Sequence, residues 1–392
     1  MKKFFSFTSA VVMAVCSLTL ISCGDDDDNV KIVDPTSDTS APSAANIEYW
    51  QANRTNWNNY MINVATLLTK DADKLYDEWN EGDEAYKKTF TTTNDTYPTY
   101  NDIMVQIIDG CTDIANEVGV AKLGDPYSLY VAGKTTQALY AVESWYSYHS
   151  RQDYRNNIYS VRNAFYGSRD KSVADHSLAK YVKDHNVTLF NKVDAAINKA
   201  ANAIWAIPDP FRNHINAPEV QDAMDACSEL TDVLDEDLKD YIKSCNSESD
   251  DSEFRQIAES YVNNVVLPTY KELAEKTVTL NNAIRDFAAN PSNAGFEKAC
   301  QAWLDARAPW ETSEAFLFGP VADLGLDPNM DSWPLDQDAI VNILKNGNFS
   351  SLNWSGEYDE DDEAIEAAQN VRGFHTLEFL LFKNGAPRKV AQ

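Results

Sequence analysis

Cationic side chains are scarce in this sequence: 33 lysines and arginines stand against 61 aspartates and glutamates, giving a formal net charge of -28. Such a surface repels nucleic acids, because binding to DNA or RNA requires lysine and arginine contacts to the phosphates. The excess of acid suits a protein that meets cations, or one that only needs solubility. We therefore expect no nucleic-acid partner.

Cysteine and histidine are also scarce, with six and five copies in 392 residues. No two cysteines form a CxxC pair, so the sequence contains no zinc knuckle or redox motif. Cys227 and Cys245 could form a disulfide if the chain turns back between them, although cysteines on apolar faces are more commonly core residues. Four of the five histidines lie at or before residue 214, and none of these four forms an HxxE or ExxH pair.

The first 22 residues have the pattern of a lipoprotein signal peptide. Lys2 and Lys3 precede a mostly apolar stretch, and the sequence Leu-Ile-Ser-Cys that ends at Cys23 resembles a bacterial lipobox. A membrane-spanning helix is the alternative, but the basic start and the small residue before Cys23 favour a cleaved signal. Acyl chains on Cys23 would hold the mature protein on the outer membrane, at its periplasmic or its exposed face.

Residues 23–45 are rich in aspartate, serine and threonine and show no periodicity, which predicts a flexible tether. The run Asp25–Asp28 is typical of a solvated tether. It also resembles the export signal that directs lipoproteins of Bacteroides-type bacteria to the outer face of the outer membrane. The sequence leaves both interpretations open.

The rest of the chain lacks the two-residue alternation of β-strands and has the apolar period of helices instead. Trp50, Trp57 and Val64 recur every seven residues, and Pro268 predicts a kink or break in a later helix. The pattern predicts an all-α fold. Helices are predicted from about residue 50 and over 100–118, 127–149, 154–166, 173–206, 220–242, 254–288, 295–318, 338–345 and 363–382.

A polar cluster at residues 244–252 (SCNSESDDS) is the best candidate for a domain boundary. The helices on either side predict two four-helix-bundle-like domains, residues 46–248 and 253–392.

The most informative polar pair is His375 and Glu378, within the segment GFHTLEFLLF. On a helix, residues three apart share a face, so the imidazole and the carboxylate can interact. The apolar residues that follow predict that the pair is buried, and buried polar groups need partners. A hydrogen-bonded structural pair is the alternative to a ligand-binding pair.

The second part of the chain resembles the imelysin-like family, formerly classed with metallopeptidases, whose members have two four-helix bundles and a GxHxxE motif. In the usual family order this block comes first, whereas here residues 46–248 precede it, as in the circularly permuted branch found in Bacteroides-type bacteria. Residues 143–167 resemble a segment of the partner bundle. The matching segments are YVNNVVLPTY (261–270), AWLDAR (302–307), SEAFLFGP (313–320), SWPLD (332–336) and GFHTLEFLLF (373–382).

The resemblance implies a part in iron uptake, by binding iron or an iron-bearing envelope partner where the two bundles meet. It centres the site on His375 and Glu378 as metal ligands, with Glu314 as a third ligand. Iron suits mixed carboxylate and imidazole ligands, and zinc suits them less well. The supporting residues are Arg307, Gly373, Trp333 and Asp336.

Two alternatives to iron binding stay open. A zinc-dependent metallopeptidase would need HExxH or HxxEH, but Thr376 follows His375 and Phe379 follows Glu378, which leaves half of a catalytic zinc site at best. The ligand count therefore disfavours an enzyme. The other alternative is a metal-free module that docks a protein partner. Arg307 has a structural alternative as well, an ion pair with Glu311 one helical turn away.

Overall fold

The helical periodicity of the sequence corresponds to helices that bury their apolar stripe. The structure is a computed structural model that describes residues 47–82, 84–354 and 356–391. The predicted signal segment 1–22, the predicted lipidation site Cys23 and the predicted tether 23–45 lie outside the described residues. Within the described part, no helix combines the length and the apolar character needed to span a membrane.

The α-helices follow one another with short connections. The first half contains α1 Arg54–Asn80, α2 Tyr86–Thr91, α3 Tyr100–Glu117, α4 Asp125–Val131, α5 Thr135–Ala141, α6 Ser150–Tyr166, α7 Leu178–His185, α8 Val187–Ala206, α9 Pro218–Asp232 and α10 Lys239–Ser244. The second half contains α11 Glu248–Tyr261, α12 Leu267–Ala289, α13 Asn293–Glu311, α14 Pro320–Asp323, α15 Leu326–Asp331, α16 Gln337–Asn346, α17 Glu363–Gln369 and α18 Gly373–Leu381.

The prediction of an all-α fold is confirmed. Among the described residues, extended structure is limited to β1 Phe382–Lys383 and β2 Ala386–Pro387, which pair antiparallel. Three π-helical turns, Val118–Gly124, Val233–Leu238 and Val262–Val266, interrupt or extend the α-helices. Pro268, which lacks a backbone N–H, lies just after the last of them, where the helix changes from π to α hydrogen bonding.

Four predicted helices are wrong in their extent. The predicted helix 173–206 divides into α7 and α8 at Asn186, and the predicted helix 295–318 ends at Glu311. The other two errors concern the site. The predicted helix 127–149 divides into α4 and α5 and is followed by an irregular segment, residues 142–149. The predicted closing helix 363–382 is broken between α17 and α18, because Gly373 adopts a positive φ of 83°. Both breaks bring polar residues into the interior, which periodicity alone does not reveal.

All described residues belong to one compact unit. Helix α1, near the start of the described chain, packs against α12, α15, α16 and α18, which come from the second half. Trp57 and Trp79 on α1 are fully buried in this core. The division into two bundles at residues 248–253 stays a prediction.

The disulfide between Cys227 and Cys245, which the sequence left open, is not formed. Cys227 is buried and Cys245 is partly buried, and both are free thiols, as are Cys111 and Cys300. The Cys245 thiol instead donates to the carbonyl of Tyr241, at 3.3 Å.

Candidate functional site

Helix α18 approaches the end of α15 so closely that only glycine fits at its first position. A Cβ atom on Gly373 would lie 2.4 Å from the carbonyl oxygen of Met330. The positive φ of 83° at this residue also favours glycine. This contact brings Asp331, the last residue of α15, beside the first turn of α18.

His375 lies in that first turn and is fully buried. Its Nδ1 lies 3.0 Å from Oε2 of Glu378, one turn further along α18. The other oxygen of Glu378 accepts hydrogen bonds from the backbone N–H of Ser147, at 2.8 Å, and from its hydroxyl, at 2.7 Å. Glu378 is thus engaged through both oxygens, and its contact with Nδ1 fixes the orientation of the imidazole.

The opposite edge of the imidazole faces two further carboxylates. Nε2 of His375 lies 3.2 Å from Oδ1 of Asp331 and 3.4 Å from Oε1 of Glu143. One ligand atom from each of these three residues lies within 4.8 Å of the others. We call His375, Glu143 and Asp331 the histidine centre.

Arg307 on α13 is the cation that balances these acids. Its guanidinium is fully buried and lies 2.7 Å from Glu143 and 2.6 Å from Glu311, and it also pairs with Asp331. Its Nε lies 3.6 Å from Asp153, and its Nη2 lies 3.3 Å from Nε2 of His375. A single guanidinium therefore neutralises part of the charge of four carboxylates.

A second group of acids adjoins the histidine centre. Oxygens of Glu311, Glu314 and Asp331 lie within 4.8 Å of one another, and we call these residues the carboxylate group. Oε2 of Glu311 accepts a hydrogen bond of 2.6 Å from Asn157 on α6. Oδ2 of Asp331 accepts one of 2.6 Å from the indole N–H of Trp310.

The irregular segment 142–149 delivers part of the first half's contribution to the site. Two of its members, Ser144 and Tyr148, have positive φ values of 53° and 64°, a conformation that costs free energy for non-glycine residues. The segment carries Glu143 and Ser147, and the Ser144 hydroxyl donates to Asp153 at 2.6 Å. Backbone strain is therefore concentrated where the chain presents groups to the site.

The indole of Trp333 covers the imidazole of His375. The two ring centroids lie 4.9 Å apart, edge to face. The indole N–H of Trp333 donates to the carbonyl of Ala141, at 3.4 Å, at the end of α5. Trp333 thus connects the loop after α15 to the start of the irregular segment.

The buried charges shift one another's pKa values in opposite directions. Burial alone would lower the pKa of His375, and Arg307 acts in the same sense, but Asp331 and Glu143 outweigh both and raise it well above its ordinary value. Burial would raise the pKa of Asp331, yet Arg307 and His375 hold it low. Burial would also raise the pKa of Glu143, but Lys122, His375 and Arg307 together lower it. The ammonium of Lys122 lies 3.0 Å from the Glu143 carboxylate.

The acids of the carboxylate group behave differently. Burial raises the pKa of Glu311 well above its ordinary value, although Arg307 opposes the shift. Burial also raises the pKa of Glu314, which Lys122 only partly counteracts. The pKa values of these two acids are thus shifted upward, whereas those of Asp331 and Glu143 are shifted downward. The arrangement can hold a hard cation, since it supplies carboxylate oxygens and an imidazole in a dry interior.

The structure brings several of the residues predicted from sequence into contact and separates others. His375, Glu378 and Arg307 form one connected network, Gly373 shapes it and Trp333 covers it. Glu378 lies behind the imidazole, and Glu314 belongs to the carboxylate group instead of the histidine centre. Asp336 lies apart from the network and caps α16 by accepting from the N–H of Ala339, at 2.9 Å.

Glu143 and Asp331 were not predicted from the sequence as members of the site. Glu143 is the first residue of the segment 143–167, and Asp331 directly precedes the segment SWPLD. Their positions at the edges of segments that resemble the family could have indicated that they belong to the site. Glu311 was considered only as an ion-pair partner of Arg307, and that ion pair is present.

Comparisons with known proteins agree with this architecture. Residues 35–236 and 266–391 match the family model of Imelysin, peptidase family M75. The chain is similar to the crystal structure of an imelysin peptidase from Bacteroides ovatus, with 54% identity and a TM-score of 0.85 over 89% of this chain and 100% of that one.

A curated relative is similar over a shorter stretch. It is Iron-regulated protein A of Synechococcus elongatus, 29% identical over 185 residues, which are 45% of this chain. The match spans 50% of the relative's own length, so about half of that protein has a counterpart here.

Proposed function

Because this chain belongs to the imelysin family, we propose that it is an iron-uptake protein of the cell envelope that binds one iron ion at the histidine centre. The link to iron comes from the curated relative named Iron-regulated protein A. The link to a binding site comes from the buried imidazole and carboxylates of this chain.

One observation carries the proposal. Nε2 of His375 faces Oδ1 of Asp331 and Oε1 of Glu143 at 3.2 and 3.4 Å, and the imidazole is fully buried. One imidazole nitrogen and two carboxylate oxygens form a donor set that suits Fe²⁺, which accepts both ligand types. Glu378 orients the imidazole through Nδ1, as a carboxylate behind a ligating histidine commonly does.

Iron has to displace a charge that is already present. The Arg307 guanidinium contacts the same carboxylates, and Asp331 and Glu143 raise the pKa of His375, which favours a proton on the imidazole in the absence of metal. Binding therefore releases a proton and rearranges the Arg307 contacts. Affinity for iron should fall as the pH is lowered, since protons compete for Nε2.

The test is an anaerobic titration of the mature protein with Fe²⁺, followed by calorimetry. Wild type is expected to bind one equivalent, and His375→Ala should bind at least about tenfold more weakly. His176→Ala is the matched control, because His176 is exposed and remote in sequence from the network. Equal binding by wild type and His375→Ala would refute the histidine centre as the iron site.

The two alternatives have their own readouts. Cleavage of unfolded polypeptides that requires added zinc and is lost in His375→Ala would support a metallopeptidase in place of an iron-uptake protein. Capture of an envelope protein that persists in the presence of a chelator and is lost in His375→Ala would support a metal-free docking module. Neither result is expected.

We further propose that acyl chains on Cys23 anchor the protein to the outer membrane. The basic residues Lys2 and Lys3, the apolar stretch after them and the lipobox-like sequence support this location. A Cys23→Ser variant is expected to leave the membrane fraction and appear in the soluble envelope fraction. Retention of that variant in the membrane fraction would refute the anchor.

A further inference from the structure

The carboxylate group beside the histidine centre has the composition of a cation site of its own. Glu311, Glu314 and Asp331 each contribute an oxygen, and the three oxygens lie within 4.8 Å of one another. We propose that they bind a second cation of the hard, oxygen-preferring class, such as Mn²⁺ or Ca²⁺, and that Asp331 is shared between the two sites. This inference does not depend on iron binding at the histidine centre.

Glu314 is the residue that points to a ligand. Its side chain is only 8% exposed. Among the residues that the structure describes, its carboxylate makes no hydrogen bond or ion pair. A buried carboxylate without a partner is strongly unfavourable, so such a group needs either a proton or a cation. A metal ion in contact with Glu314 would supply the missing partner.

The other two carboxylates are already held in place by neutral donors. Asn157 donates to Glu311 at 2.6 Å, and the indole of Trp310 donates to Asp331 at 2.6 Å. Hydrogen bonds of this kind orient ligating carboxylates and are typical of metal sites. The group therefore has one free carboxylate and two oriented ones.

The nearest cationic side chains are engaged with other acids. The ammonium of Lys122 lies 3.0 Å from Glu143 and 3.6 Å from Glu117. Arg307 contacts Glu311 and Asp331 as well as Glu143, but no ion pair joins it to Glu314 among the described residues. Lys122 lowers the pKa of Glu314 but does not reach ion-pair distance, so among the described residues no protein cation contacts the Glu314 carboxylate directly.

The donor chemistry selects the class of ion. All three donors are carboxylate oxygens, with no imidazole or thiolate among them. Hard cations such as Mn²⁺, Ca²⁺ and Mg²⁺ prefer this donor set, whereas zinc prefers nitrogen and sulfur. The two neighbouring sites would therefore prefer different metal ions, because the histidine centre contains an imidazole and the carboxylate group does not.

The experiment is a titration of the mature protein with Mn²⁺, with free Mn²⁺ measured by electron paramagnetic resonance. Glu314→Gln preserves the shape of the side chain and removes its charge, and we expect it to weaken one Mn²⁺ site at least about tenfold. Glu360→Gln is the matched control, because Glu360 lies in the exposed acidic run near residue 360. The control should bind Mn²⁺ like the wild type.

Two results would overturn the second site. One is Glu314→Gln binding Mn²⁺ with the stoichiometry and affinity of the wild type. The other is His375→Ala losing the same Mn²⁺ site, which would mean that there is one centre and not two. Equal Fe²⁺ binding by wild type and His375→Ala would refute the proposed function alone, so the two failures are distinguishable.

A thermal measurement shows whether the variant is folded. We expect Mn²⁺ to raise the midpoint of unfolding of the wild type and of Glu360→Gln, and to raise that of Glu314→Gln less. A cooperative transition of Glu314→Gln without metal confirms an intact fold. An equal Mn²⁺-dependent rise in all three proteins would count against the site.

Discussion

At the scale of single residues, Arg307 is the side chain on which the buried charges depend. Its guanidinium contacts Glu143, Glu311, Asp331 and, at 3.6 Å, Asp153, while it is itself fully buried. Buried ion pairs are not strongly stabilising as such, but removal of one member leaves the others without compensation. A bound metal cation would supply part of the same compensation.

The first prediction therefore concerns Arg307→Gln. In the presence of a chelator the variant should lose about 3–5 kcal/mol of unfolding free energy, because several buried carboxylates lose their counter-charge. Mn²⁺ should restore part of this loss. Urea unfolding with and without Mn²⁺ measures both effects.

The control for that measurement is Arg285→Gln, because Arg285 is exposed and, within the described part of the chain, its hydrogen bonds go to the neutral side chains of Thr66 and Asn281. It should change the unfolding free energy by less than about 0.5 kcal/mol. If Arg307→Gln loses the same unfolding free energy with and without Mn²⁺, a metal ion does not replace the guanidinium as the counter-charge of the buried carboxylates.

A second prediction concerns pH. Burial, with a contribution from Asp331, raises the pKa of Asp327 to about 7. A carboxyl group with a higher pKa in the folded state binds more protons when folded, so its stabilising contribution is present below about pH 4 and is lost as the pH rises through 7. Asp327→Asn should remove this loss of stability at high pH, because asparagine does not ionise.

We expect Asp327→Asn to be more stable than the wild type at pH 8 by on the order of 1–2 kcal/mol, and to differ less at pH 5. Urea unfolding at the two pH values measures the difference. Asp305→Asn, at an exposed position, controls for the removal of one negative charge. A constant difference between Asp327→Asn and the wild type at both pH values would contradict the prediction.

Local spacing allowed only part of the site to be predicted. The hydrogen bond between His375 and Glu378 follows from their separation on one helix, which is a local property. Glu143 reaches the imidazole from a distant segment, and no periodicity of the sequence encodes that approach. Glu314 was expected beside His375, but α13 ends before it and the short 3-10 helix Glu314–Phe316 carries it to the carboxylate group.

At the scale of elements, the helices were predictable where an apolar stripe is continuous and were not where the site interrupts it. Helices α1, α3 and α16 lie close to the predicted ranges, because each buries one face. The irregular segment 142–149 and the break before α18 were not predicted. Both depend on positive φ values that tertiary contacts stabilise, at Ser144, Tyr148 and Gly373.

The third prediction tests the close approach of α18 to α15. Gly373 and Gly82 share a φ of +83°, but a Cβ atom on Gly373 would lie 2.4 Å from the Met330 carbonyl oxygen, whereas one on Gly82 meets nothing within 4 Å. Gly82→Ala should cost about 1–2 kcal/mol from backbone strain alone. Gly373→Ala should cost at least about 2 kcal/mol more, because the helix must also move away.

Chemical denaturation of the two variants measures the difference directly. The displaced helix carries His375, so Gly373→Ala should also weaken Fe²⁺ binding, whereas Gly82→Ala should not. Equal destabilisation of the two variants would show that the approach of α18 to Met330 is not as close as described.

At the scale of the whole molecule, the dominant property is the net charge of -28. Mutual repulsion of like charges destabilises a compact state and weakens as salt screens it. The fourth prediction is that the midpoint of thermal unfolding rises between 0.01 and about 0.15 M salt, over which the Debye length falls from about 30 to 8 Å. Sodium chloride and potassium chloride should act equally, since screening depends on ionic strength.

Calorimetry in a series of salt concentrations, with a chelator present, measures this effect separately from metal binding. A midpoint that does not change with ionic strength would indicate that local ion pairs already compensate the surface charge. A difference between sodium and potassium would indicate specific binding of one ion.

The hydrogen bonds from Ser147 to Glu378 join residues 231 positions apart, and the imidazole itself stands at position 375 of 392. During translation, a nascent chain would expose Glu143, Asp153 and Glu311 to solvent until the segment that carries His375 has been made. The centre can close only after residue 378 has emerged, because Glu378 accepts from Ser147 and orients the imidazole. A chain that terminates prematurely before residue 375 would therefore retain most of the acids and lack the imidazole that organises them.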